Sequence, residues 1–458
     1  MQFDPYGYVL EHVLYPAWEK FRGRPTLALL EQLQRNERAS LDEFDAIRTG
    51  FLRRLVRHAY DNTTHYRRVL DERGIHPSDI NTIEDLAKLP ILTRDIARES
   101  LEDRTAAWPS VVVAKNTSGS TGHPLEVRFG QESRIWRDAT RLRGFGWCGY
   151  TLGGKKLHFW GEPSFAPPLS QRAKIAVDRR LRRDIYSSCM VRSPEHMREL
   201  VATIDRERPN VMLAYAQAAA DLARFINSEG LRTWDDIPVI CGAERLWPHD
   251  RADMTNAFGP GVFETYGCRE FMLIGSECEA HDGLHESVEN LIVEILVEEP
   301  DGSMRPARPG EQGQVAITDL HNLACPMIRY TMGDIATARS RGPCACGRTL
   351  PRIGPIQGRV TDTMRDANGN PVEGVLFNIL FHNMTKFART FQVVQHPDRT
   401  ITLLVVPLGP ELPRQAEKLL RTCVERYMPG VPMAIETVGD IPLTAAGKHR
   451  RVIVEASN

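Results

Sequence analysis

A change of hydrophobic rhythm along the chain constrains its fold most. Up to about residue 260, short apolar runs of strand length alternate with stretches of helical spacing. VVVAK at 111–115 and LEVRF at 125–129 read as strands around NTSGSTGHP, whose small and turn-forming residues make a loop. A helix is expected near 216–227, and PVIC, ending at Cys241, reads as a buried strand. From Leu291 strands come in succession, LIVEIL and then QVAITDL, before the loop-rich PCACGR stretch. This order predicts an α/β fold with a large layered N-terminal domain.

Beyond Arg359, FQVVQHPDRTITLLVVP reads as a hairpin, followed by an amphipathic helix at 412–427 and a last strand. That is a small α+β C-terminal domain. At the other end, Phe44, Ile47, Phe51, Leu55, Val56, Ala59 and Tyr60 recur at helical spacing between Leu41 and Arg68, within a helical lead-in to about residue 108. A chain of 458 residues exceeds what one core usually organises. The expected domains are 1–358 and 359–458, with the boundary inside GPIQGRVTD.

The 58 basic and 59 acidic side chains nearly cancel, so no overall field draws the chain to nucleic acid or an anionic membrane. The most basic run, RAKIAVDRRLRRD at 172–184, reads as a solvated helix face. Asp4 and Glu11 interrupt what an export signal would need, and no run approaches the roughly 18 to 20 apolar residues of a membrane span. A cytoplasmic location is expected. There the nine cysteines stay reduced and form no disulfide framework.

Thr117-Ser118-Gly119-Ser120-Thr121-Gly122 offers hydroxyls and close-approaching amides, which suit a triphosphate. It is not a Walker loop, because no G-x-x-x-x-G-K-[ST] occurs there and His123-Pro124-Leu125 follows. In order behind it come Gly242-Ala243-Glu244, Glu264-Thr265-Tyr266-Gly267-Cys268-Arg269-Glu270, Tyr330-Thr331-Met332-Gly333-Asp334, Gly358-Arg359-Val360-Thr361-Asp362 and Leu443-Thr444-Ala445-Ala446-Gly447-Lys448. With these six pieces the chain resembles the adenylate-forming superfamily. KNTSGSTGHPLEV, LPILTR and PCACGRTLPRI make it similar to the phenylacetate-CoA ligase family, including its capsular-polysaccharide branch, over residues 40 to 458.

The resemblance implies an ATP- and Mg²⁺-dependent ligase that activates a carboxylic acid as its acyl-adenylate, releases pyrophosphate and passes the acyl group to CoA. It implies that Thr117, Ser118, Gly119, Ser120, Thr121 and Gly122 cradle the phosphates. Tyr266 and Gly267 would meet adenine against a wall made by Gly242, Ala243 and Glu244. Glu270 suits Mg²⁺, being a hard-oxygen ligand for a hard cation. Asp334 would accept both ribose hydroxyls, Arg359 would meet ribose or phosphate oxygens, and Lys448 would meet charge developing at the α-phosphate. In the superfamily the small domain rotates about a hinge just after the arginine, here Thr361-Asp362. Two departures stand out: Leu125 where many members have lysine, and Thr361 where an acidic residue is usual.

Cys344, Cys346 and Cys278, with an imidazole from His285 or alternatively His281, fit a Cys3His structural zinc site. Cys268 is a lesser candidate ligand. Phe145, Trp147, Trp160 and Tyr215 lie in segments able to line an acyl pocket, which sets an aryl acid ahead of an aliphatic one. Two other readings stay open: an adenylating enzyme that serves an amine or adenylylates a cofactor, and a nucleotide-binding component of polysaccharide biosynthesis without turnover. A homodimer is the expectation taken from the family.

Overall fold

The computed structural model describes residues 4–117, 125–161, 169–189, 193–359, 363–369, 371–373, 384, 387–443, 450 and 452–455. The chain divides into two compact units, one of residues 1–332 and 336–356, the other of residues 333–335 and 357–458.

The large unit opens with helices, of which Leu41–Asn62 is the longest. Ser40 and Glu43 close a reciprocal capping box at its start, and Phe44, Leu52, Leu55, Val56 and Ala59 form its buried face. The helical spacing that runs to Arg68 is broken at Thr63, where a new helix, Thr64–Glu72, begins. The Thr63 hydroxyl donates to the Ala59 carbonyl (2.7 Å) and accepts from the Tyr66 amide (3.3 Å), ending one helix and capping the next. Side-chain periodicity carries no trace of such a local break.

The centre of the unit is an eight-stranded sheet. Asp184–Ser188, Lys156–Trp160, Val211–Tyr215, Val239–Gly242 and Val262–Cys268 run parallel in that spatial order. Met272–Ser276, Leu284–Glu286 and Arg352–Ile353 continue it antiparallel. Helices Pro194–Glu207, Ala216–Glu229 and Pro248–Phe258 cover one face, with Leu200, Ala219, Ala223, Met254 and Phe258 packed on Met212, Ala214, Val239 and Cys241. Along a strand successive side chains alternate between faces, so Val211, Leu213 and Ile240 lie on the other, with Cys148 and Phe263.

A second sheet contains Met304–Pro306, Leu291–Glu298, Gln312–Asp319 and Tyr330–Thr337 as neighbours. Its buried residues Leu291, Val315, Ile317 and Tyr330 share a core with Leu125, Val127 and Phe129. Among the described residues no helix is long and apolar enough to cross a membrane.

In the small unit Ala388–Gln395 and Ile401–Pro407 form the expected hairpin, flanked in parallel by Val452–Val454 and Met433–Thr437. The helix Arg414–Tyr427 starts after Pro413, whose extended conformation puts it at the cap position. Ala416, Leu420 and Val424 pack on Phe391, Val393, Leu403 and Val405.

Candidate functional site

Open α/β sheets hold ligands outside the carboxyl ends of their strands. Three adjacent parallel strands end here in Trp160, Tyr215 and Gly242. The Trp160 and Tyr215 rings meet edge to face at 4.5 Å. A Cβ on Gly242 would lie 3.2 Å from Trp160 Cη2 and 3.3 Å from Thr265 Oγ1, so glycine lets the indole close against the backbone. Ala243 follows at φ +67°, a conformation costly for a residue with a Cβ and characteristic of functional turns. The Glu244 carboxylate accepts the Gln217 amide (3.1 Å) in the first turn of Ala216–Glu229, a helix whose cap residue Tyr215 makes no side-chain capping bond. An anion at a helix N-terminus is favourable, so Glu244 fixes that helix against the strand end.

The four aromatic residues grouped in the sequence do not stay together. Phe145 packs with Cys148, Val211 and Leu213, in a different cluster from Trp160 and Tyr215. Trp147 stands 5.4 Å from the His285 ring and donates its indole N–H to Glu37 (2.8 Å). Both lie in the last turn of helix Gln131–Trp147, away from the strand ends that carry Trp160 and Tyr215.

Tyr266 is buried and packs in the core that holds Leu92, Phe271 and Tyr330. The pairing of Val262–Cys268 with Met272–Ser276 slips by a residue between Tyr266 and Gly267. There a Cβ on Gly267 would sit 2.1 Å from the Met272 carbonyl oxygen, so only glycine fits.

Thr117 closes the base of the hydroxyl-rich loop. Its amide donates to the Leu125 carbonyl (2.8 Å), and its hydroxyl accepts the Leu125 amide (3.0 Å). Val113–Asn116 pairs antiparallel with Glu126–Phe129 beneath it. The same hydroxyl accepts Arg94 Nη2 (2.8 Å), while Arg94 Nη1 stands 3.6 Å from Oε1 of buried Glu270. Burial holds the neighbouring Tyr330 phenol well above its ordinary pKa, with the Glu270 charge acting in the same direction. Arg94 was not singled out from the sequence; its only signal there is its place at the end of LPILTR.

Three thiols and one imidazole converge elsewhere in the large unit. The ligand atoms of Cys278, His285, Cys344 and Cys346 all lie within 4.8 Å of one another. Cys278 Sγ and Cys344 Sγ are 3.8 Å apart, and Cys346 Sγ is 3.5 Å from His285 Nε2. Bonds of about 2.3 Å to sulfur and 2.0 Å to nitrogen give tetrahedron edges of about 3.8 and 3.5 Å, so the quartet fits zinc. His285 Nδ1 faces the Leu350 carbonyl (3.1 Å), which leaves Nε2 for a metal. Burial pushes His285 down to about 4, keeping it neutral, and the Cys278 thiol up to about 12. His281 instead faces Glu277 (3.3 Å) and Arg251 (3.1 Å). Cys268 packs near the Tyr266 core and is not one of the quartet.

Asp334 follows Gly333 (φ +80°) on Tyr330–Thr337 and belongs to the small unit. Arg359 ends the strand Ile356–Arg359. Ser118, Gly119, Ser120, Thr121, Gly122, Thr361, Asp362 and Lys448 lie outside the described residues.

No protein-family model matches the chain. It is 30% identical over 351 residues to a phenylacetate-coenzyme A ligase of Escherichia coli (strain K12), covering 72% of this chain and 74% of that protein. A phenylacetate-coenzyme A ligase of Thermus thermophilus is 28% identical over 351 residues, covering 74% and 76%. Among solved structures, 2-hydroxyisobutyryl-CoA ligase in the postadenylation state with R3-HIB-AMP superposes with a TM-score of 0.72 over 92% of each chain, at 22% identity.

Proposed function

Because this chain belongs to the phenylacetate-coenzyme A ligase family, AMP-forming acid–CoA ligases with the adenylate-forming fold, we propose that it joins an aryl carboxylic acid to CoA through an acyl-adenylate. The observation that carries this reading is the pairing of two features in one unit. Thr117 and Glu270 converge through Arg94 at the base of the hydroxyl-rich loop, and Trp160 with Tyr215 forms an aromatic wall at adjacent strand ends. The first suits phosphates and the second a flat apolar acyl group.

In the first step the carboxylate oxygen attacks the α-phosphorus of ATP and the bond to the β-phosphate oxygen breaks, releasing pyrophosphate. Thr117 and Thr121, with the loop residues between them and Gly122, hold the phosphates. Mg²⁺, bound through Glu270, supplies charge neutralisation there. Adenine lies by Tyr266 and the Gly242–Glu244 turn, and Asp334 and Arg359 bind the ribose and phosphate. Lys448 meets the charge that develops on the pentavalent phosphate. In the second step the CoA thiolate attacks the acyl carbonyl and AMP leaves. Residues 359–458 act as a mobile lid hinged at Thr361-Asp362 that presents a different face for each step.

Cys278, His285, Cys344 and Cys346 are assigned to a structural zinc, supported by their tetrahedral spacing. Hydroxylamine trapping across aryl and fatty acids tests the substrate class. Aryl acids should give the higher hydroxamate yield, and Lys448→Ala should lower the rate about 10²- to 10³-fold. Higher yields from fatty acids would overturn the aryl assignment.

A further inference from the structure

Between residues 172 and 184 six arginines and lysines stand beside two aspartates. The helix Leu169–Arg182 carries most of this run, and every side chain from Arg172 to Asp178 is exposed. Those residues span about two turns. An ordinary surface helix hides one stripe over such a length, whereas here none is buried. Ala173, Val177 and Leu181, each four residues from the next, form an apolar row, with Val177 59% exposed and Leu181 54%.

A second uncovered apolar row meets the end of this helix. The N-terminal helical stretch runs through Pro5–Val9, a π-helical turn Leu10–Leu14 and Tyr15–Phe21. It is fixed to the large unit. Glu11 accepts the Gly153 amide (3.2 Å), the Tyr6 hydroxyl donates to the Leu181 carbonyl (2.8 Å), and Arg183 pairs with Asp4. Yet Val9, Val13, Leu14, Trp18 and Phe21 recur at helical spacing with their side chains in water, Phe21 being 82% exposed. Single exposed apolar residues are ordinary, but two adjoining rows mark an interaction surface.

Charge decides what covers it. The acidic groups here are already matched, Asp4 by Arg183, Asp178 by Arg182 (3.0 Å) and Asp184 by Lys156 (3.7 Å), and Lys174 and Arg180 are exposed. An acidic polymer would meet the cations but leave Val13, Phe21 and Val177 in water. A second copy seated symmetrically would set the same basic patch against itself. A lipid surface bearing negative headgroups satisfies both the apolar rows and the cations. We infer that this surface docks the large unit on an anionic bilayer. Val9, Val13, Phe21 and Val177 enter the boundary between headgroups and acyl chains, Tyr8 and Trp18 lie at headgroup level, and Lys174 and Arg180 meet lipid phosphates. The near-neutral chain has no long-range field to bring it there, so the attraction is local and acts within about a Debye length.

Docking of this kind goes beyond acid activation and does not depend on it. The test is co-sedimentation of the full-length protein with vesicles of phosphatidylcholine alone and of phosphatidylcholine containing about a third phosphatidylglycerol. The protein should partition onto the anionic vesicles, release from them as salt is raised, and leave the neutral ones largely bare. The double variant F21Q/V177Q should lower that partitioning about 10- to 100-fold, and K174Q/R180Q about tenfold. Both should keep the melting temperature of the original, because all four side chains are exposed. Absence from anionic vesicles, equal binding to neutral ones, or binding that neither variant weakens would overturn the inference. So would a dimer in solution that F21Q/V177Q dissociates while vesicles recruit nothing, which would give the surface to a second copy.

Discussion

Glu264 has a carboxyl group that the fold prefers uncharged. Burial pushes its pKa from 4.5 to about 7, the Glu277 charge adds to this, and the Leu246 amide at 3.2 Å opposes it. Between pH 4.5 and 7 the unfolded chain has released this proton while the native chain keeps it. The native state then binds more protons, and stability falls as pH rises through that window. The span bounds the loss at about 3 kcal/mol. Glu264→Gln keeps an acceptor for the Leu246 amide and cannot ionise. Its stability advantage in urea melts should grow from pH 4.5 to 7 and be level above; a pH-independent difference would contradict this account. At this scale the sequence pointed to segments, while partners remained hidden. Gly267 stood out as a motif glycine, yet its physical reason is the Met272 carbonyl across a strand slip. Arg94 lay in a recognised segment, but its partners are 23 and 176 residues away in sequence.

Cys278 lies just before Leu284–Glu286, and Cys344 and Cys346 lie on the turn of Gly347 (φ +84°) before Arg352–Ile353. Those two strands pair, Arg352 opposite His285, which brings two loops about sixty residues apart into one cluster. The cysteine types and the close C-x-C spacing were legible in the sequence. The choice of His285 over His281 was not, because it depends on strand register. If the quartet holds zinc, elemental analysis of purified protein should find one zinc per chain, and Cys344→Ser should lower both the zinc content and the melting temperature. Zinc-free protein of unchanged stability would remove the assignment. Helices and longer strands were visible through their periodicity, but Leu284–Glu286 and Arg352–Ile353 are too short to carry a pattern. The break at Thr63 depends on one hydroxyl that both donates and accepts.

For the whole molecule, the shift from alternating elements to a hairpin-led pattern made a layered α/β region and a small α+β region legible. The excursion of Gly333–Ile335 into the small unit was not, because Tyr330–Thr337 continues as one strand through it. The active-site reading depends on parts that are far apart in sequence, and one activity requires all of them together. The most direct measurement is the fate of ATP when the protein turns over an aryl acid with CoA and Mg²⁺. The account predicts AMP and pyrophosphate in equal amounts, formed only with the acid present, together with one acyl-CoA thioester per AMP. ADP and inorganic phosphate as the products, or ATP cleavage indifferent to the acid, would contradict it.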